Sequence, residues 1–436
     1  MTTRADFLKM AGGAAAGVML MGAGRRAPRV IIFFLDDMPM YMVNELPQAK
    51  RWLPVIGTRA YVPDPLCTPT RVSFQLGQYP STHGITANDP GLGEFIAMGY
   101  PVDALGPRLK AQGWRTGFFG KSMNGQESRE RYQLPGWDNW TIMTGDLNRD
   151  DVFKVNDNGN IRVIERRDWN ETAFFTNQIR DMVLNLDPDV PAVILASYHA
   201  PHGPYHARES NIPDGASLDK PNFNHHDDGK PPWIRNLEPC GSDAEKAKMR
   251  EDKKGKIGEV GDVDDGIQRI MAALSATEQL PQTYAFLFAD NGYFFGEHRI
   301  QDGKGHPYEQ SSRTPFLARG PGFVAGPNDA LISVIDVTAT IAEIAGSDTS
   351  GYEGQSLLPV MRDLVSPWRS ALLVEHRAGH GYDMLRTNQY VYVEHETGER
   401  ELYNMHADNY QLRSLQRTAD PALLTELSGR LAGLKA

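Results

Sequence analysis

The chain has 436 residues, 40% of them hydrophobic and 23% charged, with a formal net charge of −10 and two cysteines. That length and balance suit one large globular domain and a smaller one. The acidic surplus argues against a nucleic-acid binder, which relies on a basic surface. Cys67 and Cys240 are too few for a disulfide framework, and Cys240 reads as a loop thiol without chemistry.

Thr3-Arg4-Ala5-Asp6-Phe7-Leu8-Lys9 precedes a small-residue apolar run from Met10 to Ala23. It resembles a twin-arginine export signal, with Ala5 where the second arginine belongs. Residues 1–27 are therefore expected to direct the protein to the periplasm or outside the cell. The alternative is a cytoplasmic protein with an unpacked N-terminus. The run is too short and too rich in Gly and Ala for stable membrane insertion.

Val30 to Leu35, Ala192 to Ser197 and Tyr284 to Ala289 are continuous apolar runs, as expected of strands buried on both faces of a mainly parallel sheet. Helical patterns over Val102 to Gln112, Glu171 to Leu186 and Lys246 to Ala273 fall between and around them. Charges of the third, such as Glu251, Asp252, Lys253 and Lys254, read as a solvated face. This alternation predicts an α/β domain over residues 28–365, with ligands beyond the carboxyl ends of the strands. Asn211 to Pro239 reads as a long loop over that face. Ala371 to Glu375, Tyr382 to Arg386, Tyr390 to Glu394 and Glu401 to Tyr403 read as short strands, and Pro421 to Leu434 as an amphipathic helix. They predict a small antiparallel sheet packed by one helix over residues 366–436, with the boundary near Val365 to Trp368.

Asp36-Asp37 and Asp290-Asn291 directly follow apolar runs. Such pairs serve as turn residues and helix caps, yet three carboxylates and an amide oxygen are also hard ligands suited to Ca²⁺ or Mg²⁺. Cys67-Thr68-Pro69-Thr70-Arg71 is the C-x-P-x-R pattern read by enzymes that oxidise cysteine to Cα-formylglycine. Lys121 lies in Gly120-Lys121-Ser122-Met123-Asn124. His202 stands between prolines in Ala200-Pro201-His202-Gly203-Pro204, and Lys304 four residues before Tyr308-Glu309.

In this order these segments resemble the type I sulfatases, of the alkaline phosphatase superfamily. Leu76-Gly77-Gln78-Tyr79-Pro80 with His83-Gly84-Ile85, Gly354-Gln355-Ser356-Leu357-Leu358-Pro359 and Gly398-Glu399-Arg400-Glu401-Leu402-Tyr403 extend the resemblance over nearly the whole mature chain. The resemblance implies an alkaline phosphatase-like fold and a Cys67 converted by a maturation enzyme to formylglycine, whose hydrated form is the nucleophile. It implies one divalent cation, usually Ca²⁺, with Mg²⁺ as the alternative, held by Asp36, Asp37, Asp290, Asn291 and modified Cys67. It assigns Lys121, His202 and Lys304 to the sulfate, with His202 or Lys304 protonating the departing alcohol, and gives Arg71 the task of orienting the nucleophile. His298, in Gly296-Glu297-His298, is a secondary substrate candidate; His199 and His206 read as rim residues. The chain departs from many relatives at Met123, where a histidine is usual, and its Gly-Lys-x-x-Asn form looks more like the glucosamine-6-sulfatase branch.

The expected activity is hydrolysis of a sulfate ester, with a sulfated small molecule or glycan as substrate. Pro231-Pro232-Trp233-Ile234-Arg235 resembles a carbohydrate-sulfatase segment, in which Trp233 either stacks on a sugar or anchors a loop. A formylglycine-dependent phosphoesterase or phosphonate monoester hydrolase is the alternative on the same scaffold. A non-catalytic carbohydrate-binding relative is a second.

Overall fold

The computed structural model describes residues 26–145, 149–363 and 368–435. All but the last two residues of the expected export segment, and most of the expected domain boundary, lie outside them. Among the described residues no helix is long and apolar enough to cross a membrane.

The first ten strands are β1 (Arg29–Leu35), β2 (Val55–Tyr61), β3 (Arg115–Gly120), β4 (Asn139–Gly145), β5 (Val152–Asp157), β6 (Asn160–Glu165), β7 (Ala192–Ser197), β8 (Thr283–Ala289), β9 (Leu317–Arg319) and β10 (Gly326–Ser333). They form one sheet in the order β10-β2-β9-β8-β1-β7-β3-β4-β5-β6. The centre, β8-β1-β7-β3-β4, is parallel, as its apolar runs predict. Antiparallel pairings join β9 to β8 and β2, and β5 to β4 and β6.

Side chains alternate across a strand, and β1 shows the consequence. Ile31, Phe33 and Leu35 enter one core with the helices Glu171–Leu184 and Asp243–Ala276. Val30, Ile32 and Phe34 enter another with Cys67–Leu76, Leu105–Ala111 and Val334–Ala345. Helices therefore cover both faces of the sheet. The helix Asp243–Ala276 departs from the sequence reading in one respect. Lys253 is not on a solvated face; it is buried, and its ammonium donates to the Ser217 carbonyl at 2.5 Å.

The parallel register places the functional loops. Leu35 pairs with Ala289, Phe34 with Ser197, and Gly120 with Ser197. Four strands thus end at one level, and the loops that leave them converge there.

The C-terminal strands β11 (Ala371–His376), β12 (Tyr382–Thr387), β13 (Tyr390–His395) and β14 (Arg400–Asn404) form an antiparallel meander. One face packs with Tyr61, Phe294 and Tyr308 of the large domain. The other is covered by Leu427 and Leu431 of the helix Pro421–Lys435, matching the expected sheet and helix.

Candidate active site

At the carboxyl edge of the large sheet, Asp36, Asp37 and Asp290 gather around Cys67, and a ligand atom of each lies within 4.8 Å of the others. Cys67 is the first residue of the helix Cys67–Leu76, which Leu66 enters in extended conformation. Its Sγ lies 3.5 Å from Asp36 Oδ1 and 2.8 Å from Lys304 Nζ. Asp37 leaves β1 at φ 60°, a left-handed conformation that costs a non-glycine residue about 1 kcal/mol or more. Its amide donates to Asp290 Oδ1 at 3.1 Å.

Two glycines allow the close approaches. A Cβ on Gly120 would lie 1.9 Å from the Ser197 carbonyl, so only glycine lets β3 turn against β7 and deliver Lys121. A Cβ on Gly292 would lie 1.9 Å from the Gln310 carbonyl, and Gly292 fixes the loop after Asn291.

Cations surround the carboxylates. Lys121 pairs with Asp36, and Lys304 with Asp37. Arg71 donates to Asp290 Oδ2 and Ser197 Oγ at 2.8 Å each, over the Phe34 ring. His202 is partly exposed, its Nε2 lies 3.6 Å from Asp37 Oδ2, and its Nδ1 sits 2.5 Å from the Gly203 carbonyl. Burial is the largest influence on each carboxyl and pushes its pKa up. At Asp36, Lys121, His202, Arg71 and Lys304 together outweigh it and hold the group well below its usual range. At Asp37, Lys304 and His202 bring it down to about 2. At Asp290, burial and the neighbouring Asp36 prevail, and its pKa is raised. The Cys67 thiol is raised by burial and by Asp290 and Asp36, so the unmodified side chain is a poor nucleophile here.

The donor set fits a hard divalent cation. Asn291 Nδ2 donates to Asp37 Oδ1 at 2.5 Å and to its neighbour Gly292. Its buried Oδ1 accepts no hydrogen bond. A buried amide oxygen without a donor, beside three carboxylates, is an oxygen cage of the kind Ca²⁺ or Mg²⁺ takes.

All four expected strand-end ligands, Cys67, Arg71, Lys121, His202 and Lys304 thus come together. His298 does not join them: it is fully buried against the Tyr308 ring, 4.4 Å between centroids, with Nε2 3.3 Å from Asn222 Nδ2. His199 is buried beside His202, and burial holds its pKa well below the usual imidazole range. Lys256 went unnoticed in the sequence. Fully buried, its ammonium donates to the carbonyls of Asp37 at 3.0 Å and Pro201 at 2.7 Å, and so ties the Asp36-Asp37 loop to the His202 loop. Its one signal was its place in a long helix that must cover the sheet.

The site lies at the carboxyl edge of an α/β sheet with a parallel centre, and its carboxylates, lysines and one cysteine are a set compatible with ester hydrolysis beside a divalent cation. A sulfatase family model matches residues 44–347, and the chain belongs to the sulfatase family, the sulfuric ester hydrolases. A model described as N-sulphoglucosamine sulphohydrolase, C-terminal, matches residues 296–436. The chain is 26% identical to N-acetylglucosamine-6-sulfatase of Homo sapiens over 97% of its own length and 87% of the relative's. This agrees with the branch suggested by the Gly-Lys-x-x-Asn form. A solved structure of a protein in complex with its substrate D-glucosamine-2-N,6-O-disulfate superposes with a TM-score of 0.78 at 17% identity, covering 94% of this chain and 97% of that one. Phosphonate monoester hydrolase of Agrobacterium radiobacter superposes with a TM-score of 0.74 at 17% identity, covering 94% and 95%. The family implies formylglycine and a divalent metal, and the buried acidic and cysteine cluster is compatible with both.

Proposed function

We propose that the protein hydrolyses a sulfate ester of a carbohydrate through a formylglycine formed from Cys67, beside a Ca²⁺ held by Asp36, Asp37, Asp290 and Asn291. The observation that carries this is the position of Cys67, with Lys304 at 2.8 Å and Asp36 at 3.5 Å in a cage of buried carboxylates. The carbohydrate rests on the similarity to N-acetylglucosamine-6-sulfatase. Mg²⁺ is the alternative cation.

Formylglycine at position 67, once hydrated, would supply one hydroxyl to attack sulfur and a second whose deprotonation would re-form the aldehyde and release sulfate, and the cation, when bound, would acidify the attacking hydroxyl. The chain's own residues do the rest. Lys121, Lys304 and His202 face the sulfate and meet charge as it builds on its oxygens, which is where an electrostatic contribution is largest. Arg71, Lys121, Lys304 and Lys256 outnumber the three carboxylates they face by one, and a divalent cation makes the pocket more positive still, as an anionic ester requires. Arg71 orients position 67 through its bonds to Asp290 and Ser197. His202, partly exposed and hydrogen-bonded at Nδ1, offers Nε2, 3.6 Å from Asp37 Oδ2, as the atom that hands a proton to the leaving alcohol, with Lys304 as the other donor. We assign His298 to support of Tyr308 rather than to substrate contact.

Export by the N-terminal segment, a formylglycine-generating maturation enzyme as partner, and a division into residues 28–365 and 366–436 complete the proposal. The test is mass spectrometry of the peptide spanning Ala60 to Arg71 from the native host, paired with release of sulfate from aryl and sugar sulfates. A Cys67 that stays wholly a thiol in active protein would refute the mechanism. Faster turnover of aryl phosphate or phosphonate than of aryl sulfate would favour the phosphoesterase reading, whose fold is shared.

A further inference from the structure

A cavity of about 350 Å³ opens directly from Lys121 and His202, away from the carboxylate cage. Its size is that of a small-molecule site. Its wall has two kinds of surface. Met123 and Met143, both buried, give it apolar faces. Between them lie neutral polar groups: Ser122, Gln126 and Thr144 are buried, and Ser122 Oγ, Gln126 Oε1 and Thr144 Oγ1 have no hydrogen-bond partner. A buried polar atom left unmatched costs about 1–3 kcal/mol. A turn about χ1 would bring the Ser122 and Thr144 hydroxyls to the cavity, where ring hydroxyls would satisfy them, while Gln126 stays held by the Arg129 and Tyr132 carbonyls.

Charge narrows the ligand further. Among the described residues that line the cavity, Lys121 is the one permanent cation, and it faces Asp36 and the sulfate position. His199 is held neutral by burial. His202 Nε2 is turned to Asp37, 3.6 Å away, and the remaining charged group is the carboxylate of exposed Glu127 at the cavity wall. A second anionic substituent placed here would meet no counter-ion and one like charge, an arrangement that selects against a ligand.

We propose that this cavity receives the alcohol portion of the ester and is built for an uncharged hydroxylated ring, so that a second sulfate on that ring is selected against. The inference rests on the sulfatase reading above and deepens it.

The test uses the full-length, formylglycine-bearing enzyme with 4-nitrophenyl sulfate, N-acetylglucosamine 6-sulfate and glucosamine 2-N,6-O-disulfate. The expected result is a kcat/KM for release of the 6-sulfate at least about ten-fold higher from the monosulfated sugar. Equal rates, or preference for the disulfated sugar, overturn the cavity proposal while 4-nitrophenyl sulfate turnover keeps the sulfatase reading intact. Turnover of the aryl ester alone overturns it too. Release of sulfate from none of the three overturns the sulfatase reading itself, and the cavity proposal with it. Glu127→Lys should shrink the preference by about ten-fold, and an unchanged ratio defeats the electrostatic argument.

Discussion

Two regions of this molecule bury charge, and they do so differently. At the small C-terminal sheet, Glu401 is fully buried but accepts from His395 Nε2 at 2.9 Å, from Tyr308 at 3.1 Å and from Tyr403. Lys230 stands beside it, donating to Tyr403 Oη at 2.8 Å and the Gln411 carbonyl at 3.1 Å, against the faces of Tyr308 and Tyr403. There one anion meets several donors, and one cation meets oxygens. At the carboxyl edge of the large sheet, three carboxylates crowd one point and Asn291 keeps an unmatched oxygen. The lysines register the contrast. Burial pushes Lys230 down to about 8, because Glu401 with the more remote Asp227 and Asp408 does not offset it. Burial also works against Lys304, yet Asp37, Cys67, Asp36 and Asp290 raise it well above the usual value. Buried charge as such therefore does not mark a site; crowded like charge with an unmatched oxygen does.

Lys304→Ala should break the crowded site at the carboxyl edge of the large sheet most. Removing a cation aimed at developing charge costs about 10²–10³-fold in turnover of a sulfate ester, while far-ultraviolet circular dichroism stays native. Near-normal activity would take Lys304 out of the site. Lys230→Met is the counterpart at the small C-terminal sheet. It leaves Glu401 without its ammonium in a dry setting, and should lower unfolding free energy by about 3 kcal/mol in denaturant titrations. With the protein kept folded, kcat/KM should stay within a few-fold of the parent. A loss as deep as that of Lys304→Ala would join the two regions into one functional unit.

The difference between the regions also decided what the sequence could say. β1, β7 and β8 were legible because strands covered on both faces are apolar without interruption, and Asp36-Asp37 and Asp290-Asn291 were legible because they end those runs. β5 and β6 were not: β6 is an exposed edge strand, Asn-Ile-Arg-Val-Ile-Glu, with no apolar run to mark it. Cys67, Arg71, Lys121, His202 and Lys304 carried local motifs that survive any packing. Lys253 and Lys256 carried none, and a lysine in a charged helix looks solvated until the helix is laid against a sheet. His298 shared a motif with relatives, but its burial behind Tyr308 is a tertiary fact with no local signature. The unmatched groups of the Lys121 cavity, Ser122, Gln126 and Thr144, come from two separate segments, and only the fold brings them to one wall.

The cation sharpens the comparison in a smaller step. A ligand that binds the folded state alone stabilises it by about 2.7 kcal/mol at a hundred times its Kd. Chelation should therefore lower the thermal midpoint, and added CaCl₂ or MgCl₂ should restore it. The cost of Lys230→Met, measured with and without chelator, should be the same, because its partners are not the cation's. An unshifted midpoint on chelation would mean that Asp36, Asp37 and Asp290 are balanced by the lysines alone.

The smallest effect concerns a group beside the nucleophile helix. His83 is fully buried, and burial lowers its pKa to about 3. Its Nδ1 accepts from the Ile85 amide at 3.1 Å, so Nε2 carries the proton and donates to Ser73 Oγ at 2.9 Å, on the helix that Cys67 opens. The folded-state value lies below the unfolded one, about 6.5. Between those values the unfolded chain binds more protons, and stability falls as pH falls. Going from pH 7.5 to 5 should cost about 2 kcal/mol through this residue. His83→Gln keeps one acceptor and one donor but does not titrate. Its stability, read from denaturant midpoints, should decline less over that range than the parent's. Parallel declines would place the acid sensitivity in other groups, with His199, His298 and His306 the candidates, since burial lowers each of them. Below pH 4 the two proteins should lose stability together, as the unfolded chain's Asp37 carboxyl binds a proton that the folded one, held near 2 by Lys304 against its burial, does not.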